Sequence, residues 1–197
     1  MRLLIFSDIH GDAAALERLM GTDADYYFAA GDLANWGKGL DQLGPILQKH
    51  AERMYVMPGN HESESDIAAF CARHGFMNFH SETAEIGGVR FAGLGYSTVT
   101  PFNTPGEYSE DEIAARLEKF VEWKPQVLIC HSPPLGTALD RIREGLHAGS
   151  SAVRGYIEAH QPAYFFCGHI HEAEGAVIQM GRTRAVNVGK RGWLLEI

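Results

Sequence analysis

The sequence predicts an α/β fold with two mixed β-sheets packed together and flanked by helices, a four-layer αββα sandwich. Short continuous apolar runs alternate with helical patterns through the first half of the chain, which is typical of a largely parallel sheet. Strand-like segments separated only by glycine turns follow near the C-terminus and indicate hairpins. These hairpins fit a second, mixed sheet better than one doubly wound sheet.

Five apolar runs are interpreted as buried strands. Each contains four or five residues rich in β-branched and aromatic side chains, as in strands that are covered on both faces. The runs are Leu3–Phe6, Tyr26–Ala30, Met54–Met57, Val127–Cys130 and Ala163–Cys167. Further strands are expected in segments 86–94, 176–180, 183–188 and 192–197, with turns at Gly87-Gly88 and Gly181.

Helices are expected where an N-cap residue precedes an apolar pattern. Side-chain oxygens of Ser and Asp satisfy the free N–H groups of a first helical turn, and Ser109 with Glu112 forms a reciprocal capping box. The caps and their helices are Asp12 before 13–20, Ser63 or Ser65 before 66–74, Ser109 before 113–123, and Ser150 or Ser151 before 152–160.

Length and composition limit the class of protein. The 197 residues suffice for one domain, residues 1–197, and their 45% apolar and 21% charged content is ordinary for a globular fold. No segment approaches the roughly 20 apolar residues of a membrane span, and the run at residues 3–6 is too short for a signal peptide. We therefore expect a cytoplasmic protein that does not bind a membrane. The sequence is compatible with either a monomer or a homo-oligomer.

Charge and cysteine content narrow the class further. The 25 acidic and 17 basic residues leave a net charge of -8, which disfavours a nucleic-acid polymer as partner. The three cysteines form no disulfide framework, and an odd count suits a reducing compartment. Because a strand alternates its faces, Cys130 should point away from His131, so we interpret Cys130 and Cys167 as core residues.

Polar residues follow each of the five apolar runs directly. Binding sites of α/β sheets form outside the carboxyl ends of the strands, so these residues are expected to converge on one place. They are Asp8, His10, Asp32, Asn60, His61, His131, His169 and His171.

The residue types in this group indicate a metal site. Imidazole nitrogen with carboxylate and amide oxygen, and no cysteine, suits manganese, iron or zinc. The seven residues other than His61 exceed the four ligands of a tetrahedral ion, so we expect two ions that share a bridging carboxylate. Such a centre is net positive, attracts phosphate and supplies hydroxide near neutral pH. The predicted chemistry is hydrolysis of a phosphate ester.

The polar residues also form five ordered motifs that resemble those of the calcineurin-like metallophosphoesterases. The motifs are Asp8-x-His10, Gly31-Asp32, Gly59-Asn60-His61-Glu62, His131 and Gly168-His169-x-His171. The longer segments HSPPLGT, HAGSSAVR and CGHIHEAEG are similar to the small Icc-like branch, which includes class III cyclic-nucleotide phosphodiesterases and the metallophosphoesterase-domain proteins of animals. Many relatives carry an aspartate where Asn35 stands, and asparagine-proline-glycine where this chain has Asn187-Val188-Gly189.

The resemblance implies a role for each residue of the group. One metal would be held by Asp8, His10, Asp32 and His171, and the other by Asp32, Asn60, His131 and His169, so that Asp32 bridges. Two divalent ions are implied, manganese in the first place and otherwise iron or zinc. His61 would act as general acid on the leaving oxygen, a role that suits the ordinary pKa of histidine.

The expected function is a binuclear metal-dependent phosphoesterase that hydrolyses a small-molecule phosphodiester by attack of a metal-bridging hydroxide. A phosphomonoesterase or protein phosphatase is the alternative within the fold. An alternative of another class is a non-catalytic scaffold, because a relative in the retromer coat uses this fold for protein contacts. The complete set of candidate ligands favours an enzyme.

His147 and Ser150 are candidate substrate-binding residues. They precede an expected helix whose free N–H groups could bind an anion, although a capped surface turn is an equally simple interpretation. Arg141, Arg143 and Arg154 are expected on helices, where solvated charge is the simplest role and a phosphate clamp the alternative.

Overall fold

The computed structural model describes residues 1–197, with five α-helices and fifteen β-strands. The helices are α1 (Ala13–Met20), α2 (Leu40–Leu47), α3 (Glu64–His74), α4 (Glu110–Glu118) and α5 (Ser151–His160). The strands are β1 (Arg2–Phe6), β2 (Tyr26–Ala30), β3 (Met54–Met57), β4 (Met77–Asn78), β5 (Glu82–Ile86), β6 (Val89–Leu94), β7 (Ser97–Thr98), β8 (Glu107–Tyr108), β9 (Val127–Cys130), β10 (Arg141–Arg143), β11 (Leu146–His147), β12 (Tyr164–Cys167), β13 (Val177–Met180), β14 (Thr183–Asn187) and β15 (Trp193–Glu196).

Two large sheets organise the chain, and both are mixed. The first has the order β15-β1-β2-β3-β4 and is parallel except for β15, which runs antiparallel to β1. The second has the order β13-β14-β12-β9-β6-β5, with a parallel centre and an antiparallel hairpin at each edge. The expected turns at Gly87-Gly88 and Gly181 close these two hairpins with positive φ angles.

Three apolar cores separate four layers. Strand alternation divides β1 between two of them: Leu4 and Phe6 pack under the helices of the first sheet, whereas Leu3 and Ile5 face the second sheet. The third core packs α4 and α5 on the outer face of the second sheet. This arrangement confirms the predicted αββα sandwich and brings the carboxyl ends of the parallel strands of both sheets to a common edge.

The expected helix starts are confirmed and resolved to single residues. Ser63, not Ser65, caps α3 in a capping box with Asp66, and Ser109 forms the predicted box with Glu112. Ser150, not Ser151, caps α5. Helix α4 ends at Glu118, five residues before the end of the expected apolar pattern, and turns complete that segment.

Three local features differ from the expectation. Helix α2 has no side-chain N-cap and contains Pro45, so it carries no start signal; its Gly44 lies directly against the His74 ring, where no side chain would fit. The segment of Arg141 and Arg143 is a hairpin strand, not a helix. The last strand, β15, pairs with β1 in the first sheet rather than with its neighbours in sequence.

No helix combines the length and apolar character that crossing a membrane requires. The single domain of residues 1–197 and the cytoplasmic location remain predictions.

Candidate metal centre

The ends of β1, β2, β3, β9 and β12 bring the polar residues together as expected. The possible ligand atoms form three overlapping groups, and within each group all atoms lie within 4.8 Å of one another. The groups are Asp8 with His10 and His171, His10 with Asp32 and His61, and Asp32 with His131 and His169. One continuous cluster thus contains all the predicted residues except Asn60, whose amide oxygen joins it through hydrogen-bond distances to two histidines.

Asp32 occupies the middle of the cluster. Its Oδ2 lies 3.6 Å from Nε2 of His10 and 3.4 Å from Nε2 of His131, while its Oδ1 accepts a hydrogen bond from the backbone N–H of His61 at 2.9 Å. One carboxylate oxygen is therefore occupied by the backbone, and the other faces histidines on both sides. We call Asn60, His131 and His169 the inner half, and Asp8, His10 and His171 the outer half.

In the inner half, His131 and Asn60 are buried and His169 is half-buried. His131 is fully buried, and Oδ1 of Asn60 lies 3.2 Å from Nε2 of His131 and 2.9 Å from Nδ1 of His169. The amide of Asn60 is oriented by Thr104, whose hydroxyl accepts from Nδ2 at 3.2 Å. This contact directs the amide oxygen, rather than the nitrogen, toward the histidines.

The outer half opens to solvent. Nε2 of His10 lies 2.9 Å from Nε2 of His171, which in turn lies 3.7 Å from Oδ1 of Asp8. The His171 side chain is 57% exposed, against 18% for His10. Two imidazole nitrogens and a carboxylate oxygen that converge in this way can together ligate a cation.

Hydrogen bonds fix which nitrogen of two histidines is free. Nδ1 of His131 lies 2.9 Å from the carbonyl of Ala30, and Nδ1 of His10 lies 2.8 Å from Oδ1 of Asn35. Both partners are oxygen acceptors, so Nδ1 carries a hydrogen in each ring, and Nε2 is the nitrogen that could ligate a metal in place of a proton. Metal-binding histidines are commonly oriented by such a hydrogen bond. Asn35, where many relatives have aspartate, therefore orients the ring of His10.

Glu62 organises the loops beneath the cluster. Its buried carboxylate accepts hydrogen bonds from the backbone N–H groups of Asp32, Ala34 and Gly59, at 3.1, 2.7 and 2.9 Å. These bonds join the loop after β2 to the loop after β3. Glu62 belongs to the motif Gly59-Asn60-His61-Glu62, but the sequence does not show which backbone N–H groups donate hydrogen bonds to its carboxylate.

The backbone at the cluster is strained. Asp8, His10, Asp32 and His169 have φ angles of 57°, 49°, 54° and 69°, a left-handed region that non-glycine residues rarely adopt. Such strain persists where the surrounding structure enforces it, most often at functional sites. At Gly31, which has a φ of 100°, a Cβ atom would lie 2.6 Å from the backbone of Gly59, so the close approach of the two loops requires glycine.

The electrostatics of the protein chain alone favour added positive charge. Burial raises the pKa of Asp8 to about 6, because its charge is removed from water. Burial alone would lower the pKa of His131, but Asp32 and Asp8 outweigh it and raise that pKa to about 9. Burial, with the charge of His131, lowers the pKa of His169 to about 3, so its imidazole is neutral and able to ligate.

His61 lies at the edge of the cluster and carries its hydrogen on Nε2. Its Nδ1 accepts a hydrogen bond from the backbone N–H of Trp36 at 3.4 Å, which leaves the hydrogen on Nε2. Its ring centroid is 5.0 Å from that of His10. The His61 side chain is therefore close enough to donate its Nε2 hydrogen to a group that is bound at the cluster.

Two recesses lead to the cluster, and His61 and His171 line both. The apolar recess, about 620 Å³, overlies Asp32, Asn60 and His169. Its wall includes five large apolar side chains, those of Val99, Phe102, Leu135, Ile142 and Ile170. The ionic recess, about 670 Å³, overlies Asp8 and His10 and is walled chiefly by Asp12, Asn35, Glu174, Lys190 and Arg191. Both cations of the ionic recess are paired: Nζ of Lys190 lies 3.3 Å from Asp12, and Nε of Arg191 lies 2.9 Å from Glu174.

The two candidate substrate-binding residues are placed differently. His147 lines the apolar recess, with Nδ1 2.7 Å from the buried carboxylate of Asp140. Ser150 is fully buried; its hydroxyl accepts from the N–H of Val153 and donates to Glu110. Ser150 therefore does not reach the recess, because the helix cap already uses its hydroxyl.

A family model described as calcineurin-like phosphoesterase matches residues 1–173. The chain belongs to this family. It is accordingly a metal-dependent phosphoesterase, a hydrolase of phosphate esters, and the donor set of the cluster fits the divalent ions that the family requires.

Individual relatives extend the match over nearly the whole phosphoesterase. The uncharacterized protein MJ1162 of Methanocaldococcus jannaschii is 30% identical over 205 residues, which cover 99% of this chain and 91% of its own. The structure of TT1561 from Thermus thermophilus superposes with a TM-score of 0.74 at 21% identity, over 95% and 88% of the two chains. Phosphopantetheinyl hydrolase from Mycobacterium tuberculosis superposes with a TM-score of 0.62 at 15% identity, over 95% and 88%. These two structures share the fold of this phosphoesterase.

Proposed function

We propose that this phosphoesterase is a binuclear phosphodiesterase that acts on a small molecule. The observation that carries the binuclear centre is the position of Asp32 Oδ2, which lies within 3.6 Å of a histidine nitrogen on either side. Two ligands bonded at about 2.1 Å to one tetrahedral ion are about 3.4 Å apart. A carboxylate oxygen at that spacing from both His10 and His131 is suited to bridge two ions.

Each half of the centre, together with Asp32, would supply the ligands of one ion. The outer ion would be held by Asp8, His10, Asp32 and His171, and the inner ion by Asp32, Asn60, His131 and His169. Mixed imidazole, carboxylate and amide donors favour manganese, with iron or zinc as the alternatives. When bound, the ions would neutralise the phosphate oxygens and supply hydroxide near neutral pH as the nucleophile.

A diester is favoured by the shape and charge of the site. Two recesses flank the cluster, so each of the two substituents on a phosphate has a place to lie. Neither recess offers an unpaired lysine or arginine, so neither favours a substituent that carries an anionic group of its own. A small molecule is favoured because the net charge of -8 opposes a polyanion.

His61 is proposed as the general acid. Its hydrogen resides on Nε2, because Nδ1 accepts from Trp36, and it lines both recesses. It can thus deliver a proton to the leaving oxygen of an ester group in either recess. Proton transfer of this kind contributes about 10² to 10⁴ in rate, most for leaving groups that are poor without it.

Two measurements test the proposal on manganese-loaded protein. The kcat/KM for bis-p-nitrophenyl phosphate should exceed that for p-nitrophenyl phosphate, and metal analysis should find two ions per chain. Preference for the monoester, or failure to hydrolyse either ester with two ions bound, would refute the phosphodiesterase.

His61→Ala tests the general acid separately. We expect a loss of about 10² or more with a phenyl diester, a smaller loss with a p-nitrophenyl diester, and unchanged metal content, because only the poor leaving group needs the proton. His160→Ala is the control, since His160 is exposed at the end of α5. Full activity of His61→Ala on the phenyl ester contradicts the assigned role.

A further inference from the structure

We propose that the apolar recess receives one ester group of the substrate, and that this group is uncharged and apolar or aromatic. The inference rests on the proposed phosphodiesterase and specifies its substrate class: a phosphodiester with one apolar substituent. It is carried by the side chains that wall the recess, by their charge and by their position over the inner half.

Large apolar side chains are concentrated in the wall of this recess. Val99 and Phe102 are 68% and 72% exposed, and Leu135 is 36% exposed. They belong to two separate segments, the loop after β7 and the loop after β9, which the fold brings to opposite parts of one cavity. Apolar area left in water is stabilised when another apolar group covers it, by about 25 cal/mol per Å². A cluster of this kind beside a reaction centre indicates a binding surface.

The recess offers no lysine or arginine to a second phosphate. None of the seventeen residues that line it is a lysine or an arginine, and its carboxylates are Asp32, at the centre itself, and Glu172. A nucleoside polyphosphate or a nucleic-acid strand would bring further negative charge into this space without a counterion. An uncharged substituent needs no counterion and therefore matches the lining of the apolar recess.

The recess is continuous with the centre. Asp32, Asn60 and His169 line its floor, so a substituent on a phosphate held above the inner half extends directly between the two apolar segments. The ionic recess adjoins Asp8 and His10 instead, and shares His61 and His171 with the apolar recess. The two substituents of a diester would therefore meet different surroundings, and only one of them needs to be apolar.

A substrate series with a constant leaving group tests the inference. Methyl, butyl and benzyl p-nitrophenyl phosphates differ only in the retained group, so the chemical step is the same. With the manganese-loaded chain of residues 1–197, we expect kcat/KM to rise at least about tenfold from the methyl to the butyl ester, mainly through a lower KM, because each of the three added methylenes improves binding about twofold or more when it is buried. Calorimetry should show butylphosphonate binding about tenfold more tightly than methylphosphonate.

Matched variants locate the effect. Phe102→Ala and Leu135→Ala should each lower the butyl-to-methyl ratio of kcat/KM by about threefold or more. Leu194→Ala is the control for Leu135→Ala, since Leu194 is 37% exposed on β15 and lies outside the recess; it should leave the ratio unchanged. The ratio is compared within one variant, so a general loss of stability does not imitate the result.

The outcomes separate the two proposals. Equal kcat/KM for the methyl and butyl esters, or equal changes of the ratio in Leu135→Ala and Leu194→Ala, overturns the apolar recess and leaves the phosphodiesterase intact. If no diester is hydrolysed, the proposed phosphodiesterase activity is refuted, and the two phosphonates still test whether the apolar recess binds an apolar group. Equal affinities for methylphosphonate and butylphosphonate refute this binding. Tighter binding of butylphosphonate that is lost in Leu135→Ala supports it.

Discussion

The inner and outer halves of the metal centre contain similar donors in opposite surroundings. His131, in the inner half, is fully buried and held by a backbone carbonyl, whereas His171, in the outer half, is 57% exposed. Asp32 belongs to both. The contrast shows that His131 is built into the folded core whereas His171 is accessible from solvent, so we expect an ion held by the outer half to exchange more readily.

Replacement of Asp32 should have the largest effect, because it removes the residue that the halves share. Asp32→Ala is expected to lower kcat/KM on bis-p-nitrophenyl phosphate by at least about 10³, since both ions lose a ligand and metal-ion catalysis contributes several kcal/mol. Metal analysis and turnover measure it, with Asp23→Ala as control because that side chain is 91% exposed. If Asp32→Ala still binds two ions with unchanged affinity, Asp32 is not the bridge.

Histidine replacements should distinguish the halves. His131→Ala is expected to lower the free energy of unfolding of the metal-free chain by about 3 kcal/mol, because it opens a cavity and leaves buried Asp32 without its cationic partner. His171→Ala should change it by no more than about 0.5 kcal/mol while reducing bound metal from two ions to one. Urea unfolding and metal analysis of both variants check this. Equal destabilisation would show that the halves do not differ.

Asn35 tests the support of the outer half alone. Asn35→Ala should weaken the more loosely bound ion by about 10- to 100-fold and leave the tighter ion unchanged, because Asn35 orients only His10. Asn35→Asp supplies the carboxylate of many relatives and should retain or improve affinity. Metal titration by calorimetry distinguishes the two ions; weakening of both by Asn35→Ala contradicts the assignment.

His80, which lies outside the metal centre, shows what burial does to a histidine without a neighbouring carboxylate. Its Nδ1 accepts from the N–H of Gly95 and Nε2 lies 3.1 Å from the hydroxyl of Tyr108, and burial lowers its pKa to about 4, opposite to the rise at His131. The unfolded chain binds the proton first, so stability is fully present above pH 6.5 and is lost as the pH falls toward 4.

The corresponding measurement is urea unfolding at pH 7 and pH 5. The wild type should lose about 2 kcal/mol more than His80→Gln between these values, because glutamine cannot take up the proton. An identical pH dependence in both proteins would show that His80 does not titrate in this way.

Strand ends were the features most open to prediction. The five apolar runs became strands within one residue of the expected bounds, because continuous apolar side chains have no stable place except between two covered faces. The polar residues after them had to meet once the strands lay parallel. Helix α2 escaped prediction, because Gly44 and Pro45 oppose a helix locally and its position depends on packing against α3.

The sequence by itself determined the αββα architecture, the family and the donors that assemble, because apolar periodicity and residue type act over a few neighbouring positions. Only the tertiary structure decided which donors are enclosed, which backbone is strained, and what covers the substrate. His10 and His171 are 161 residues apart in the chain, yet their ring nitrogens lie 2.9 Å apart. The apolar recess likewise joins distant loops. Such contacts depend on the packing of two sheets, which no local pattern contains.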